Sequence, residues 1–418
     1  MKIVFLGATR EVGRSGFLVK TGEGNALLDY GVQPTREPAF PMHVQPKDVD
    51  AVLLTHAHLD HSGAIPLFFI SEGTELYATD LTIELTKLLI EDFLKISGFY
   101  LPFEYIDLLS MMRMAHGLKL YEQIEIKGLT AKFLEAGHIP GSASIILEGE
   151  GKRILYTGDI HACDSLLLRS ANAEFGELDI VITESTYANA DHPPREDVEK
   201  EFVEFAREVV ERGGTLLVPA FSVGRAQEVA CVLRKFNFPH PVAMDGMALK
   251  TNEILFRYQE YLRDPTLFRK SIESIELITS WSQRRRIVKT PSVIISPAGM
   301  LVGGASVFYN HTISKNLKNA ITIVSYQIPG TPGRTLLDKG ITIINGKPKK
   351  VKAEVRRFDF SFHSGRKELL EMFKGIKGSP KVYTVHGDEE NCVKLAEDLS
   401  IEIGLDAIAP KTGDIHSF

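Results

Sequence analysis

A short stretch rich in potential metal ligands constrains this chain more than any other feature. Directly after the apolar run Ala51–Leu54 comes Thr55-His56-Ala57-His58-Leu59-Asp60-His61. A turn that leaves a buried strand can direct alternate side chains to one point, so we expect His56 and His58 to share one cation. Asp60 and His61 can turn towards a second cation. Imidazole and carboxylate together suit zinc, and the alternative is a group of solvated loop histidines.

Six residues cannot complete two metal sites, so further ligands must come from other segments. Three candidates each follow an apolar, strand-like run, and they are His138, Asp159 and His386. Asp159 is the natural bridging ligand, because its two carboxylate oxygens can bind two cations. Asp29 lies at the exit of another buried strand, where we expect it to orient a ligand histidine. The alternative for Asp29 is a simple turn residue before Gly31.

Composition indicates a globular protein with room for two domains. The 418 residues are 44% hydrophobic and 24% charged, which is ordinary for such proteins. No apolar stretch is long enough to span a bilayer and the apolar start is too short for a signal peptide, so we expect a cytoplasmic protein without a membrane partner. The widely spaced Cys163, Cys231 and Cys392 fit a reducing compartment.

The net charge of −6 argues against a globally basic nucleic-acid binder. It does not exclude a nuclease, because positive potential can be confined to one cleft and bound metal ions add local charge.

The pattern of elements changes after residue 187. In residues 1–60 short strand-like runs follow one another quickly, which favours a largely antiparallel sheet. Beyond residue 187 strands alternate with helices such as Val198–Glu211 and Arg225–Phe236, which indicates a doubly wound, largely parallel sheet. Motifs with ligand-type residues return from about residue 353. We therefore predict that residues 188–352 form a domain inserted into a first domain made of residues 1–187 and 353–418.

Taken together, these residues resemble the hallmark of the metallo-β-lactamase superfamily, HxHxDH followed by a distant His, Asp and His. Three further motifs resemble motifs A, B and C of its β-CASP group of nucleic-acid-processing proteins, and they lie at 182–187, 360–364 and 385–387. The opening run Gly7–Ser15 resembles the cleavage and polyadenylation specificity factor branch. The chain is similar to short archaeal and bacterial members of that branch, related to ribonuclease J. Nothing precedes the first strand, so no amino-terminal KH domain is expected.

This resemblance implies an α/β fold, in which an αββα metallo-β-lactamase sandwich carries an inserted, doubly wound parallel-sheet β-CASP domain. It also implies a ribonuclease with two Zn²⁺ ions that hydrolyses phosphodiester bonds of single-stranded RNA. The implied ligands are His56, His58 and His138 for one ion, Asp60, His61 and His386 for the other, and Asp159 between them. The resemblance also implies that Asp60 takes part in catalysis. His363 is the implied general acid, and Glu184 the carboxylate that orients it.

Substrate contacts are expected from the inserted domain. Ser222, Gly224 and Arg225 follow a predicted strand and open a predicted helix, where backbone N–H groups and an arginine can bind phosphate. Arg334, in a loop rich in glycine and proline, and Ser142, close to His138, are further candidates. The alternative for Arg225 is a solvated residue in the first helical turn. Two basic clusters, at 284–286 and between 347 and 357, are either a track for an RNA backbone or solvated surface.

Other functions are compatible with parts of this pattern. A small-molecule ester or thioester hydrolase of the same superfamily shares HxHxDH but needs neither the insertion nor His363. A non-catalytic scaffold would have broken ligand positions, and none is broken here. A DNA-directed nuclease needs the same local chemistry, and endonucleases and 5′-to-3′ exonucleases share the same site residues. We expect a homodimer, with the ending Pro410–Phe418 as either its interface or a frayed tail.

Overall fold

The computed structural model describes residues 1–33, 37–70, 73–344 and 346–418. The chain forms two compact units. The first comprises Met1–Asp164, Arg169–Asp191 and Phe362–Phe418, and the second comprises Ser165–Leu168 and His192–Ser361. No helix in the described part of the chain combines the length and the apolar character needed to cross a bilayer.

The main segment of the second unit, His192–Ser361, starts and ends later than residues 188–352, the limits predicted from the sequence, and Ser165–Leu168 also belongs to this unit. The chain re-enters the first unit later than predicted, because Glu354–Arg357 forms a strand that pairs with Ala320–Ile323 inside the second unit. Its charged, partly exposed residues do not have the pattern of a buried strand.

The strands and helices are numbered in chain order. The strands are β1 (Lys2–Gly7), β2 (Gly16–Lys20), β3 (Asn25–Leu28), β4 (Ala51–Leu53), β5 (Glu75–Thr79), β6 (Ala115–Leu118), β7 (Gln123–Ile126), β8 (Leu129–Glu135), β9 (Ala143–Gly149), β10 (Lys152–Tyr156), β11 (Ile180–Glu184), β12 (Thr215–Pro219), β13 (Val242–Asp245), β14 (Glu276–Ile278), β15 (Ser292–Ser296), β16 (Ala320–Ile323), β17 (Ile341–Ile344), β18 (Lys347–Lys350), β19 (Glu354–Arg357), β20 (Lys381–Val385), β21 (Ala407–Ile408) and β22 (Ile415–Ser417). The helices are α1 (Leu59–Ser62), α2 (Asp80–Ser97), α3 (Tyr105–Arg113), α4 (Arg195–Glu211), α5 (Arg225–Lys235), α6 (Ala248–Leu255), α7 (Pro265–Glu273), α8 (Trp281–Ile287), α9 (Gly304–Ile313), α10 (Pro332–Lys339), α11 (Arg366–Lys374) and α12 (Glu389–Asp398).

Among the described residues, the first unit holds two sheets of seven strands. Their orders are β22-β1-β2-β3-β4-β5-β6 and β21-β20-β11-β10-β9-β8-β7. The largely antiparallel sheet expected for residues 1–60 is present in β1 to β3, but β3 pairs in parallel with β4. Strands β4 to β6 continue in parallel. Helices α1, α2 and α3 lie in the connections between β4, β5 and β6 and return the chain to the same end of the sheet. The carboxy-terminal segment Pro410–Phe418 is not a frayed tail, because its strand β22 pairs with β1.

The strands alternate their side chains between two apolar layers, which gives the sandwich. In β1, Ile3 and Phe5 join a core that also contains Phe133 and Ile145 of the second sheet. The neighbouring Val4 and its equivalents face the other way and pack with residues of α2 and α3. A third cluster joins the outer face of the second sheet to α11 and α12. The predicted αββα sandwich is confirmed.

The second unit is built on a parallel sheet. Its six strands in the described chain have the order β14-β13-β15-β12-β16-β19, and each neighbouring pair is parallel. Every residue of β12 and β15 is buried, as expected where helices cover both faces. On one face Leu217, Ile294 and Ile321 pack with Tyr309 and Ile313 of α9. The predicted doubly wound insertion is therefore confirmed, with β17 and β18 forming a separate hairpin.

Candidate metal centre

The ends of several strands in the first unit supply the candidate ligands. Strands β10, β11 and β20 are parallel neighbours, so their carboxyl ends meet at one edge of the second sheet. The residues at or just beyond strand ends are Asp29 after β3, His56 after β4, His138 after β8, Asp159 after β10, Glu184 at the end of β11 and His386 after β20. The tight turn at His386 uses a left-handed backbone, with φ of 49°.

All seven predicted ligands come together in this region. Among the described residues, four groups have ligand-type atoms within 4.8 Å of one another. They are His56, His58, His138 and Asp159, then His56, Asp60 and His61, then His61, Asp159 and His386, and then Asp159, Glu184 and His363. Asp159 belongs to three of these groups. His56 and His61 are fully buried and Asp159 is 2% exposed. A carboxylate shared by two groups of histidines suits the binding of metal ions.

Hydrogen bonds fix which ring nitrogen of each histidine faces the cluster. Nδ1 of His61 donates to Asp29 Oδ2 at 2.7 Å, and Nδ1 of His138 donates to the Phe362 carbonyl at 2.8 Å. The Thr55 hydroxyl gives its single proton to Asp29, so it accepts from Nδ1 of His56 at 3.1 Å. In all three residues Nδ1 therefore carries a proton, so Nε2 is the nitrogen that would bind a metal.

Asp29 is a hub of these orienting contacts. Its carboxylate is fully buried and accepts hydrogen bonds from the Thr55 amide and hydroxyl, His61 Nδ1 and the Tyr156 hydroxyl, all between 2.7 and 2.8 Å. With its acceptor positions filled in this way, Asp29 holds a ligand rather than binding an ion itself.

Two buried atoms at the centre lack the partners that buried polar atoms require. Among the described residues, neither His56 Nε2 nor Asp159 Oδ1 has a hydrogen bond. Asp159 Oδ1 has only ion-pair contacts, at 3.3 Å with His61 Nε2 and at 3.2 Å with His386 Nδ1. A buried polar atom without a partner is costly. A cation would satisfy both atoms, and the imidazole and carboxylate donor set suits zinc. The residues therefore fit a metal site.

The electrostatics of the cluster also suit metal binding. Burial lowers the pKa of His58 to about 4 and holds the pKa of His56 and His138 well below its usual value, so these rings are neutral, as ligands must be. Burial opposes charge on His61 too, but the carboxylates of Asp159 and Asp29 outweigh it and raise its pKa. A bound cation would replace this proton as the positive charge that balances the carboxylates of Asp159 and Asp29.

A carboxylate–histidine pair lies beside the cluster. Nδ1 of His363 lies 3.0 and 2.9 Å from the two oxygens of Glu184. Glu184 is almost completely buried and also accepts from the Ile160 amide at 2.7 Å. The His363 ring centroid is 4.5 Å from that of His138. Glu184 therefore orients an imidazole at the edge of the metal cluster.

Two predicted substrate contacts lie inside the protein. The Ser142 hydroxyl is buried and accepts from the amides of His138 and Ile139 at 3.1 and 3.2 Å, so it shapes the ligand loop. Arg225 is 5% exposed and donates to the Phe360 carbonyl. It is not a solvated helix residue, because its guanidinium is used inside the protein.

The remaining predicted contacts lie on the second unit. Gly224 precedes α5 with φ of 81°, a conformation that favours glycine, and Ser222 is buried nearby in the chain. Arg334 is on the surface and pairs with Asp338 at 2.7 Å. In the first basic cluster Arg284 and Arg286 pair with acidic residues, whereas Lys347–Lys350 forms an exposed strand of the hairpin.

Sequence reasoning missed the residues that hold the His138 loop. The hydroxyls of Thr79 and Thr82 both donate to the Gly141 carbonyl, at 2.7 and 2.8 Å. Thr79 also caps the amino-terminal end of α2. This capping position is the only part of its role that the sequence indicates. A threonine directly before a helix is recognisable in sequence, but its second contact, 62 residues away along the chain, is not.

Three protein families match successive parts of the chain. Residues 9–170 match the metallo-beta-lactamase superfamily, residues 226–336 match the Beta-Casp domain, and residues 348–410 match the Zn-dependent metallo-hydrolase RNA specificity domain.

Whole-length relatives give the same assignment. The chain is 41% identical over 412 residues to RNase aCSPSF2 of Saccharolobus solfataricus, covering 98% of this chain and 83% of that protein. It is 35% identical to Probable RNase MJ4 of Methanocaldococcus jannaschii, covering 99% of each. A crystal structure of a protein of unknown function from Enterococcus faecalis V583 shares the fold, with a TM-score of 0.65, 16% identity and 99% of both chains covered. The chain belongs to the β-CASP family of the metallo-β-lactamase superfamily.

Proposed function

We propose that this protein is a ribonuclease that uses two Zn²⁺ ions to hydrolyse phosphodiester bonds in single-stranded RNA. The observation that carries the proposal is the shared carboxylate of Asp159 between two histidine groups, with the Glu184–His363 pair beside it. One feature suits two cations and the other suits proton transfer to a leaving group.

The residues divide the chemistry between them. Bound zinc would supply Lewis acidity and activate water for attack on phosphorus. His56, His58 and His138 would hold one ion, Asp60, His61 and His386 the other, and Asp159 both. His363, held at Nδ1 by Glu184, gives the proton on its Nε2 to the leaving oxygen as the P–O bond breaks.

The names of the relatives and the matching families favour RNA over the other substrates. Both relatives described above carry the name of a ribonuclease and align along nearly all of this chain, and residues 348–410 match an RNA specificity domain. A small-ester hydrolase needs neither that domain nor the insertion. DNA shares the same local phosphodiester chemistry, so the choice between the two nucleic acids is part of the test.

The test is cleavage of a defined RNA by the purified, zinc-loaded protein. The substrate is a single-stranded RNA with a 5′-monophosphate and a 3′ label, alongside a DNA of the same sequence and a small ester. His363→Ala is the matched control: turnover should fall by about 10²–10⁴-fold, the usual contribution of a general acid, while the zinc content stays at the wild-type value.

Each outcome decides one part of the proposal. Discrete internal fragments indicate an endonuclease, and progressive shortening from the 5′ end indicates an exonuclease. Intact RNA with zinc bound overturns the ribonuclease assignment, and loss of zinc in the His363→Ala protein would make His363 a ligand instead of an acid. Cleavage of DNA at an equal rate would overturn the preference for RNA.

A homodimer is also part of the proposal. Strand β22 is the edge strand of the first sheet, and its Ile415 is 62% exposed. An edge strand with unpaired backbone groups can pair with a second copy. Light scattering on the purified protein should give twice the mass of one chain, and replacing Ile415 with lysine should shift that mass towards the monomer.

A further inference from the structure

Three consecutive backbone carbonyls lead into His363, and each accepts a hydrogen bond from a side chain. The pairs are Arg225 Nη1 with Phe360 O, Arg195 Nη1 with Ser361 O at 3.3 Å, and His138 Nδ1 with Phe362 O at 2.8 Å. The segment lies outside helices and strands, and buried carbonyls need donors from some source. Here the donors are two arginines of the inserted unit and one candidate zinc ligand.

This arrangement determines the path of the chain. A peptide unit is planar, so a donor that directs a carbonyl limits the orientations of that whole peptide. Limits on two neighbouring peptides restrict the backbone angles of the residue between them. The three hydrogen bonds therefore restrict the conformation of Ser361 and of Phe362, directly before His363.

Both arginines are themselves held in place. Arg225 is buried in the first turn of α5. Arg195, in the first turn of α4, pairs at 2.8 Å with Glu228, which is fully buried. Its guanidinium also lies 4.8 Å from the centroid of the Phe360 ring. Arg195 is thus held by Glu228 independently of the carbonyl that it contacts, and Arg225 is enclosed by the protein.

We propose that Arg195 and Arg225 are positioning residues for the reaction, acting through the backbone of residues 360–362. They hold the carbonyls of Phe360 and Ser361, which directly precede the Phe362 carbonyl that accepts from the candidate ligand His138. This inference rests on the proposed function. It assigns Arg225 a role in aligning the site instead of a contact with substrate phosphate.

The test compares Arg195→Met with Arg212→Met in the full-length, zinc-loaded protein. Arg212 is a matched control, because it also pairs with a glutamate and donates to a backbone carbonyl, that of Lys318, in a different segment. We expect Arg195→Met to lower kcat on RNA by about 100-fold, the cost of a small misplacement at a reacting centre. KM should stay within about twofold, and zinc affinity, measured by chelator competition, should weaken about tenfold.

Two results would overturn the proposal. A raised KM with an unchanged kcat would make Arg195 a substrate contact. Values of kcat and zinc affinity equal to those of Arg212→Met would leave it with a structural role alone.

Arg225 is tested by chemical rescue. Arg225→Ala removes the buried guanidinium, and added methylguanidinium should restore part of its kcat while leaving Arg212→Ala unchanged. A folded Arg225→Ala protein with wild-type kcat, or one that no guanidinium restores, contradicts its positioning role. If this variant does not fold, Arg195→Met still decides the proposal.

A readout without RNA separates this inference from the proposed function. In an imidazole ¹H–¹⁵N spectrum, the Nδ1 proton of His138 should be protected in the wild type and in Arg212→Met, and should exchange faster in Arg195→Met. If the wild type cuts no RNA, the proposed function fails, whereas an unchanged His138 signal and zinc affinity overturn the positioning role itself.

Discussion

The two units of the protein bury carboxylates in opposite ways. In the first unit Asp159 faces His61 and His386, and its Oδ1 makes no hydrogen bond. In the inserted unit Asp245 is equally buried, but it accepts two hydrogen bonds from Arg284, at 2.7 and 2.8 Å, and one from the Tyr309 hydroxyl at 2.7 Å. Burial of charge is therefore common to both units, and the missing hydrogen bond distinguishes the ion site.

Two other carboxylates extend the comparison. Glu228 of the inserted unit is fully buried and receives Arg195 and the amides of Leu166 and Leu167. Asp29 of the first unit lies beside the metal cluster and is nevertheless satisfied by donors from the protein. A buried acid whose acceptors are filled has a structural or orienting role, even when it contacts a ligand.

The largest expected effect comes from Asp159→Asn. The amide keeps the shape of the side chain but removes the charge that faces two histidine groups, so we expect loss of at least one zinc per chain. Turnover on RNA should fall by at least about 10²–10³-fold. Elemental analysis and the RNA assay measure both values. The matched change Asp245→Asn should leave the zinc content intact, and a full zinc content in both variants would break the comparison.

A large change in stability is expected from Arg284→Met. It leaves the Asp245 carboxylate buried without its charged partner, and breaking such a pair costs about 3–5 kcal/mol. Denaturant unfolding measures this loss. The double variant Arg284→Met/Asp245→Asn should be more stable than Arg284→Met alone, because no uncompensated charge remains. Strictly additive losses would mean that the two side chains are not coupled.

Added zinc should raise the stability of the protein to unfolding by binding to the first unit, and contacts inside the second unit should not affect this gain. At free zinc about 100 times its dissociation constant, linkage gives about 2.7 kcal/mol for one site. Thermal unfolding with and without zinc measures the shift. It should be much reduced in a His56→Ala protein and unchanged in Arg284→Met, and an equal shift in wild type and His56→Ala would contradict the proposed ligand set.

The smallest effect is expected from Thr79→Val, which tests a satisfied contact close to the ligands. Valine keeps the volume but removes the α2 cap and the hydrogen bond to the Gly141 carbonyl, so the free energy of unfolding should fall by about 1 kcal/mol. The zinc content should not change, because Asp159 and the ligand histidines keep their own partners. Zinc loss would show that the Gly141 carbonyl contact is needed to hold His138.

The candidate ligands could be predicted from the sequence, whereas the contacts of Arg225 and Ser142 could not. The ligands lie at strand ends, and the carboxyl ends of parallel strands meet at one edge, so local patterns were sufficient to bring them together. Arg225 looked like a phosphate contact at a helix start, because sequence does not reveal a carbonyl 135 residues away that uses its guanidinium. Strand β19 was missed because an exposed edge strand can be rich in charged residues.

The order of the ligands along the chain has a consequence for synthesis. His56, His58, His138 and Asp159 all precede the main segment of the inserted unit, and His386 follows it. On the ribosome, where chains fold from the amino terminus onward, six of the seven candidate ligands are available early, and His386 only after the insertion has been made. A growing chain therefore holds an incomplete centre until its last ligand has been added.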